Sequence, residues 1–135
     1  MSLMTKPLAH YSHIRKAGDI YYVAGQGCRN PETNEYAGLT RDSSGAIQSY
    51  DIKAQSKAVL ANIEQALATE SLTLDHVIDV NVFLADMKDF AGMNEIWNQT
   101  FANRAQKPTR TTVAVKQLPG DNFVEMKAIA YRSQK

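Results

Sequence analysis

Cysteine is nearly missing from this chain: its 135 residues hold one, Cys28. A single thiol closes no disulfide within the chain and cannot build a cysteine-rich zinc site, so the expected setting is the reducing cytoplasm. An excess of either charge is missing too, with 15 Lys and Arg against 14 Asp and Glu. That balance gives no broad electrostatic pull toward nucleic acid or an anionic membrane, and neither is expected as a partner. No apolar run approaches the roughly 20 residues of a membrane helix. Met1–Pro7 lacks the apolar stretch of a secretory signal and is expected to be a flexible N-terminus. No Pro/Gly/Ser linker, low-complexity tract or repeat divides the chain. One domain over residues 1–135 follows, long enough to bury about two-thirds of the surface of the extended chain.

What is present is a clear alternation of periods. Ile20-Tyr21-Tyr22-Val23-Ala24, entered from Gly18-Asp19, reads as a strand that ends at Gly25-Gln26-Gly27. Turn chemistry at Asn30–Asn34 and Asp42–Gly45 brackets Tyr36–Thr40, one arm of a hairpin. From Asp51 to Leu67 the apolar residues Ile52, Val59, Ile63, Ala66 and Leu67 recur at helical spacing, with Ser49 placed to cap. A second helix is expected over Lys88–Ala102, capped by Asp86, with Phe90, Met93, Trp97 and Phe101 as core. Val77–Leu84, Thr109–Lys116 and Phe123–Tyr131 alternate as strands, and Leu118–Asp121 is a turn suited to pairing the last two as an antiparallel hairpin. One face of these strands collects Ile78, Val80, Val82, Leu84, Thr111, Val113, Val124 and Met126, and is expected under the helices. The other carries Asp79, Asn81, Arg110, Thr112, Glu125 and Lys127 beside apolar groups. The fold class is therefore α+β, a two-layer sandwich with a mixed or antiparallel sheet and two helices on one face. The uncovered face is either wet or covered by further copies of the chain.

Few residues stand out chemically. Arg110 at the mouth of a strand offers a forked donor for a carboxylate, its commoner fate being a surface salt bridge. Glu125, assigned to the same face, can orient a water, its commoner fate being a pair with Lys116 or Lys127. His10, His13 and His76 do not have metal-ligand spacing, and no metal is expected. Cys28, between Gly27 and Arg29, allows an exposed, electropositive thiolate but has no evident base. Gly25-Gln26-Gly27 lacks the dinucleotide fingerprint and the phosphate-loop lysine, so no nucleotide cofactor is expected. These residues reach a domain able to hold a small anion and no further.

An ordered set of segments resembles the reactive intermediate deaminase family, called RidA-like or YjgF-like. The segments are His10-Tyr11-Ser12, Gly18 to Gln26, Val59-Leu60-Ala61-Asn62-Ile63, Val82 to Met87, Asp89-Phe90 through Asn94, Pro108 to Val113, Leu118-Pro119 and Val124 to Ala130. The resemblance implies a chorismate-mutase-like fold assembled as a homotrimer, with active sites between subunits. It implies hydrolysis of an enamine or imine to a carbonyl compound and ammonia, without metal or organic cofactor. Arg110 would bind the substrate carboxylate and Glu125 would place the attacking water, with Tyr11 and Asn94 lining or supporting the cleft. A carboxylate-binding regulatory trimer and an RNA-cleaving or translation-inhibiting role are the alternatives.

Within the family the chain is similar to the 2-aminomuconate deaminases in Ala9-His10-Tyr11, Gly25 to Arg29, and Arg110 to Val115 followed by Gln117-Leu118-Pro119. That substrate is a dicarboxylate, so a second cation is expected in the cleft: Arg29, with His10 as the substitute. Two positions depart from the general family pattern. Ala24 stands where the family usually has Ser, and Thr112, expected to contact substrate, stands where many general imine deaminases carry Cys.

Overall fold

The computed structural model describes Pro7 and residues 9–134. The expected flexible segment Met1–Pro7 therefore lies, apart from Pro7, outside the described residues. The strands are β1 (Ile14–Ala17), β2 (Ile20–Gln26), β3 (Leu39–Arg41), β4 (Ile47–Tyr50), β5 (Val77–Leu84), β6 (Thr109–Ala114) and β7 (Val124–Tyr131). The helices are α1 (Ile52–Ala68) and α2 (Phe90–Phe101). Five strands form one mixed sheet in the order β1-β2-β7-β5-β6, and β3-β4 is a separate hairpin. Both helices pack on one face, and the α+β two-layer class read from the sequence holds.

The central strand is β7, antiparallel to both β2 and β5. Its alternation is clean: Val124, Met126, Ala128 and Ala130 are fully buried. Two alanines there keep the sheet surface shallow, so that Val59, Ile63, Ala66 and Leu67 of α1 can seat against it. Each large apolar side chain buried this way contributes about 1.5–3 kcal/mol.

Capping follows local chemistry. Asp51, not Ser49, caps α1, its Oδ1 accepting from Lys53 N and Ala54 N at 2.9 and 3.2 Å. Ser49 is held in β4, which runs to Tyr50. Asp86 caps a single 3-10 turn, Met87–Asp89, that leads into α2.

Three expectations about the sheet are corrected. First, β6 does not pair with β7: it is an edge strand parallel to β5, which separates the two. Leu118–Asp121 therefore belongs to a crossing connection and closes no hairpin. Second, a bulge between Val77 and Asp79 reverses the start of β5, so that Val77 is buried and Ile78 is 45% exposed. Third, β2 continues past Ala24 through a bulge to Gln26, Val23 facing Ala128 and Gln26 facing Met126. The buried Gln26 amide stitches that bulge, donating to Ala24 O at 3.1 Å and contacting His13 Nδ1 at 3.2 Å.

Among the described residues, no helices cover the other face of the sheet. Tyr22, Val113 and Tyr131 lie there, 41–45% exposed. Among the described residues, no helix is long and apolar enough to cross a membrane.

Candidate active site

The bulge in β2 decides where the cavity beside Glu125 lies. It sets Gly25 against Glu125 of β7, and the approach is so close that a methyl group added at Gly25 would collide with the Glu125 carboxylate. The absence of a side chain at Gly25 thus makes room for the acid. A cavity of about 380 Å³ opens above it, lined by Glu125, Tyr11, Arg29, Tyr36 and Asn122 among others. The Glu125 carboxylate makes no ion pair or hydrogen bond among the described residues, so neither Lys116 nor Lys127 neutralises it. Burial pushes its pKa up, which favours its accepting and returning a proton.

The walls of this cavity are fixed by side-chain amides that sequence reading missed. Asn62 donates from one amide nitrogen to Gly27 O and Arg29 O, both at 2.9 Å. Asn122 accepts from Cys28 N at 2.7 Å and donates to Pro119 O at 2.9 Å. Fully buried Gln55 donates to Ala37 O and Asp121 O at 3.1 Å and accepts from Phe123 N at 2.8 Å. The signal was available: Gln55 and Asn62 fall on the inward stripe of α1, where polar groups are rare unless they hold something.

Arg29 lines the cavity. Its Nη1 donates to Asn34 Oδ1 at 2.6 Å, and its backbone bridges to Tyr36. Tyr11 is 52% exposed at the rim, with its ring edge-on to His13. His10 is exposed and stands outside the lining. Cys28 is buried, and desolvation raises its thiol pKa, which corrects the reading of an exposed, reactive thiolate.

Arg110 occupies a different place. In the parallel pairing Val80 faces Arg110, and in the antiparallel pairing Phe83 faces Glu125. Paired residues share a face and Val80 and Phe83 alternate, so Arg110 and Glu125 project to opposite faces of the sheet. The expectation that they share a face is corrected. Its basis, that apolar Val113 points inward, fails because β6 is an edge strand.

On the helix side, Arg110 Nη1 donates to Asn94 Oδ1 at 2.8 Å. The guanidinium carbon lies 4.9 Å from the ring centre of Trp97 and 5.5 Å from that of Phe90. No carboxylate is within ion-pair distance among the described residues. Burial lowers its pKa, yet a guanidinium stays charged at any physiological pH. Two residues along on the same face, the Thr112 hydroxyl is buried with no partner among the described residues. The structure thus joins Arg110, Asn94 and Thr112 in one cluster, and Glu125, Tyr11 and Arg29 in another.

A carboxylate without a counter-ion in a cavity on one face, and a guanidinium without one on the edge strand beyond β5, are the residue types that the resemblance led one to seek. The family model described as Endoribonuclease L-PSP matches residues 2–132. The chain belongs to this family, also called RutC, RidA or YjgF. A RutC family protein of Pyrococcus abyssi is 40% identical over 127 residues, covering 94% of this chain and 90% of that one. TdcF of Escherichia coli, provisionally named a reactive intermediate deaminase, is 32% identical over 117 residues, covering 86% of this chain and 81% of that one. The crystal structure of Escherichia coli TdcF with bound serine superposes with a TM-score of 0.82 at 29% identity, covering 96% and 94% of the two chains. These names reach reactive intermediate deamination and endoribonuclease; neither reaches 2-aminomuconate.

Proposed function

We propose that the chain is a cofactor-independent enamine/imine deaminase whose site is completed between copies. The carrying observation is the Glu125 carboxylate, half-buried in the cavity with no partner among the described residues. Arg110 is the complementary part, a cation with no counter-anion on the opposite face of the same sheet. One chain does not bring the two to one cavity. A ring of copies does so if the β6 edge of one closes the Glu125 cavity of the next. The bare sheet face with Tyr22, Val113 and Tyr131, and the unpartnered Thr112 hydroxyl beside Arg110, support such an assembly. A homotrimer is the assembly proposed, with three equivalent sites.

In this site Arg110 holds the substrate carboxylate, and the enamine carbon takes up a proton from solvent to give the protonated imine. Glu125 orients a water and takes its proton as the oxygen attacks the imine carbon. The carbinolamine then collapses: Glu125 returns the proton to nitrogen, the hydroxyl oxygen forms the carbonyl double bond as the carbon–nitrogen bond breaks, its proton passes to the freed Glu125 carboxylate and on to solvent, and the 2-oxo acid and ammonia leave. Positioning and charge placement supply the acceleration, with no activated nucleophile required. The finer reading is a dicarboxylate substrate such as 2-aminomuconate, with Arg29 taking the second carboxylate.

The test is ammonia release from freshly generated 2-aminoacrylate and from 2-aminomuconate. Acceleration of either, lost by about 100-fold or more in Arg110→Ala, is expected. Saturable binding of 2-oxo acids with no turnover of either substrate would instead assign a carboxylate sensor. A second reading, RNA cleavage, is favoured by the family description. Cleavage of RNA by nuclease-free preparations, abolished in Glu125→Gln, would establish it.

A further inference from the structure

Phe90, Asn94 and Trp97 are spaced by four and three along α2, which puts them on one stripe of the helix. By pattern alone the two aromatics are core residues. The fold lays the stripe against Arg110 instead. Trp97 is buried and packs its ring at 4.4 Å from that of Phe101 on the core side, while the Arg110 guanidinium sits 4.9 Å from its ring centre.

We propose that Trp97, with Phe90 beside it, is a positioning residue that fixes the Arg110 guanidinium for carboxylate capture without occupying its in-plane donors. The inference rests on the deaminase reading, in which Arg110 receives the substrate carboxylate. A half-buried guanidinium needs something to hold it. An acidic neighbour would do so by neutralising the charge and taking the forked edge that a substrate needs. An aromatic ring attracts the cation through its quadrupole and leaves both the net charge and the N–H edge in place. Among the described residues Asn94 Oδ1 is the one hydrogen-bond acceptor on this guanidinium, and it is neutral. Ring, amide and cation therefore form a cluster oriented to receive an anion.

The test compares Trp97→Phe with Trp97→Leu, both checked for folded structure by circular dichroism, in steady-state deamination of a monocarboxylate enamine. Loss of the ring should raise KM about 5- to 10-fold with kcat nearly unchanged, and Phe should restore most of the loss. A folded Trp97→Leu with unchanged KM, or equal KM increases in both variants, would overturn the inference. Should Trp97→Leu not fold, the wild-type chain still decides it, because Trp97 is its one tryptophan. Titration with 2-oxobutyrate should change tryptophan emission with the midpoint measured by calorimetry, and calorimetric binding with unaltered emission would overturn the inference. If Arg110→Gln turns over enamine as fast as wild type, the deaminase reading falls and this inference with it. If Arg110 is required and the ring is not, this inference falls alone.

Discussion

Arg110 and Glu125 point to opposite faces of one sheet: Arg110 pairs with Val80 and Glu125 with Phe83, three residues apart on β5. Each is left without a counter-ion among the described residues. A single copy thus holds the two groups where they do not face each other, and the proposed ring of copies is an arrangement that would give each a partner.

Gly25 is the position most tightly tied to the acid. A side chain there would collide with the Glu125 carboxylate, whereas the surrounding strand is held by the Gln26 amide and the β2–β7 pairing. Gly25→Ala should lower kcat/KM by on the order of 10-fold or more while leaving the far-UV circular dichroism spectrum unchanged. Full activity in the alanine variant would show that the Glu125 rotamer seen here is not the working one.

Glu125 also predicts a pH dependence. Burial raises its pKa, so the folded chain keeps this proton to a higher pH than the unfolded chain does. Stability is therefore lost as pH rises from the ordinary Glu value through the folded one, and the loss is complete above it. Glu125→Gln should melt at a higher temperature than wild type at pH 7, the gap closing below about pH 4. In an assembled site Arg110 of the next copy favours the ionised form, so Arg110→Gln should move the Glu125 midpoint upward in a carbon-13 NMR titration. An unmoved midpoint would separate the two residues.

Gln55 ties both cavity loops to α1 through three backbone groups. Gln55→Leu preserves bulk but orphans Ala37 O, Asp121 O and Phe123 N, and should cost on the order of 3 kcal/mol in chemical denaturation. A change below about 0.5 kcal/mol would mean that solvent reaches these groups and that the amide is dispensable.

The layer architecture was legible because burial on two sides enforces period: β7 and α1 carry their faces openly, as Val124, Met126, Ala128 and Ala130 show. The register of the edges was not. On β6 the helix-facing residues are Arg110 and Thr112, while Val113 is exposed, so apolar alternation assigns the wrong face to this edge strand, whose Val113 side no helix covers among the described residues. The bulges in β2 and β5 escaped for a related reason, since one extra residue reverses the alternation without a distinctive composition. Of the candidate site residues, Arg110 and Glu125 stood out by their chemistry, whereas Asn94, Thr112, Tyr11 and Arg29 came from resemblance, and the structure divides the six into two clusters. Trp97 was legible only as core, because nothing in a helical stripe tells a ring that packs on Phe101 from one that also carries a guanidinium.

The central claim is that Arg110 and Glu125 act together only across copies. Arg110→Ala and Glu125→Ala chains, each inactive alone, are to be denatured, mixed in equal amounts, refolded and assayed for ammonia release. Random assembly into symmetric rings gives each site one chance in four of receiving both intact residues, so recovery of about a quarter of wild-type activity is expected. Mixed assemblies, demonstrated by mass spectrometry, with no recovered activity would contradict the account.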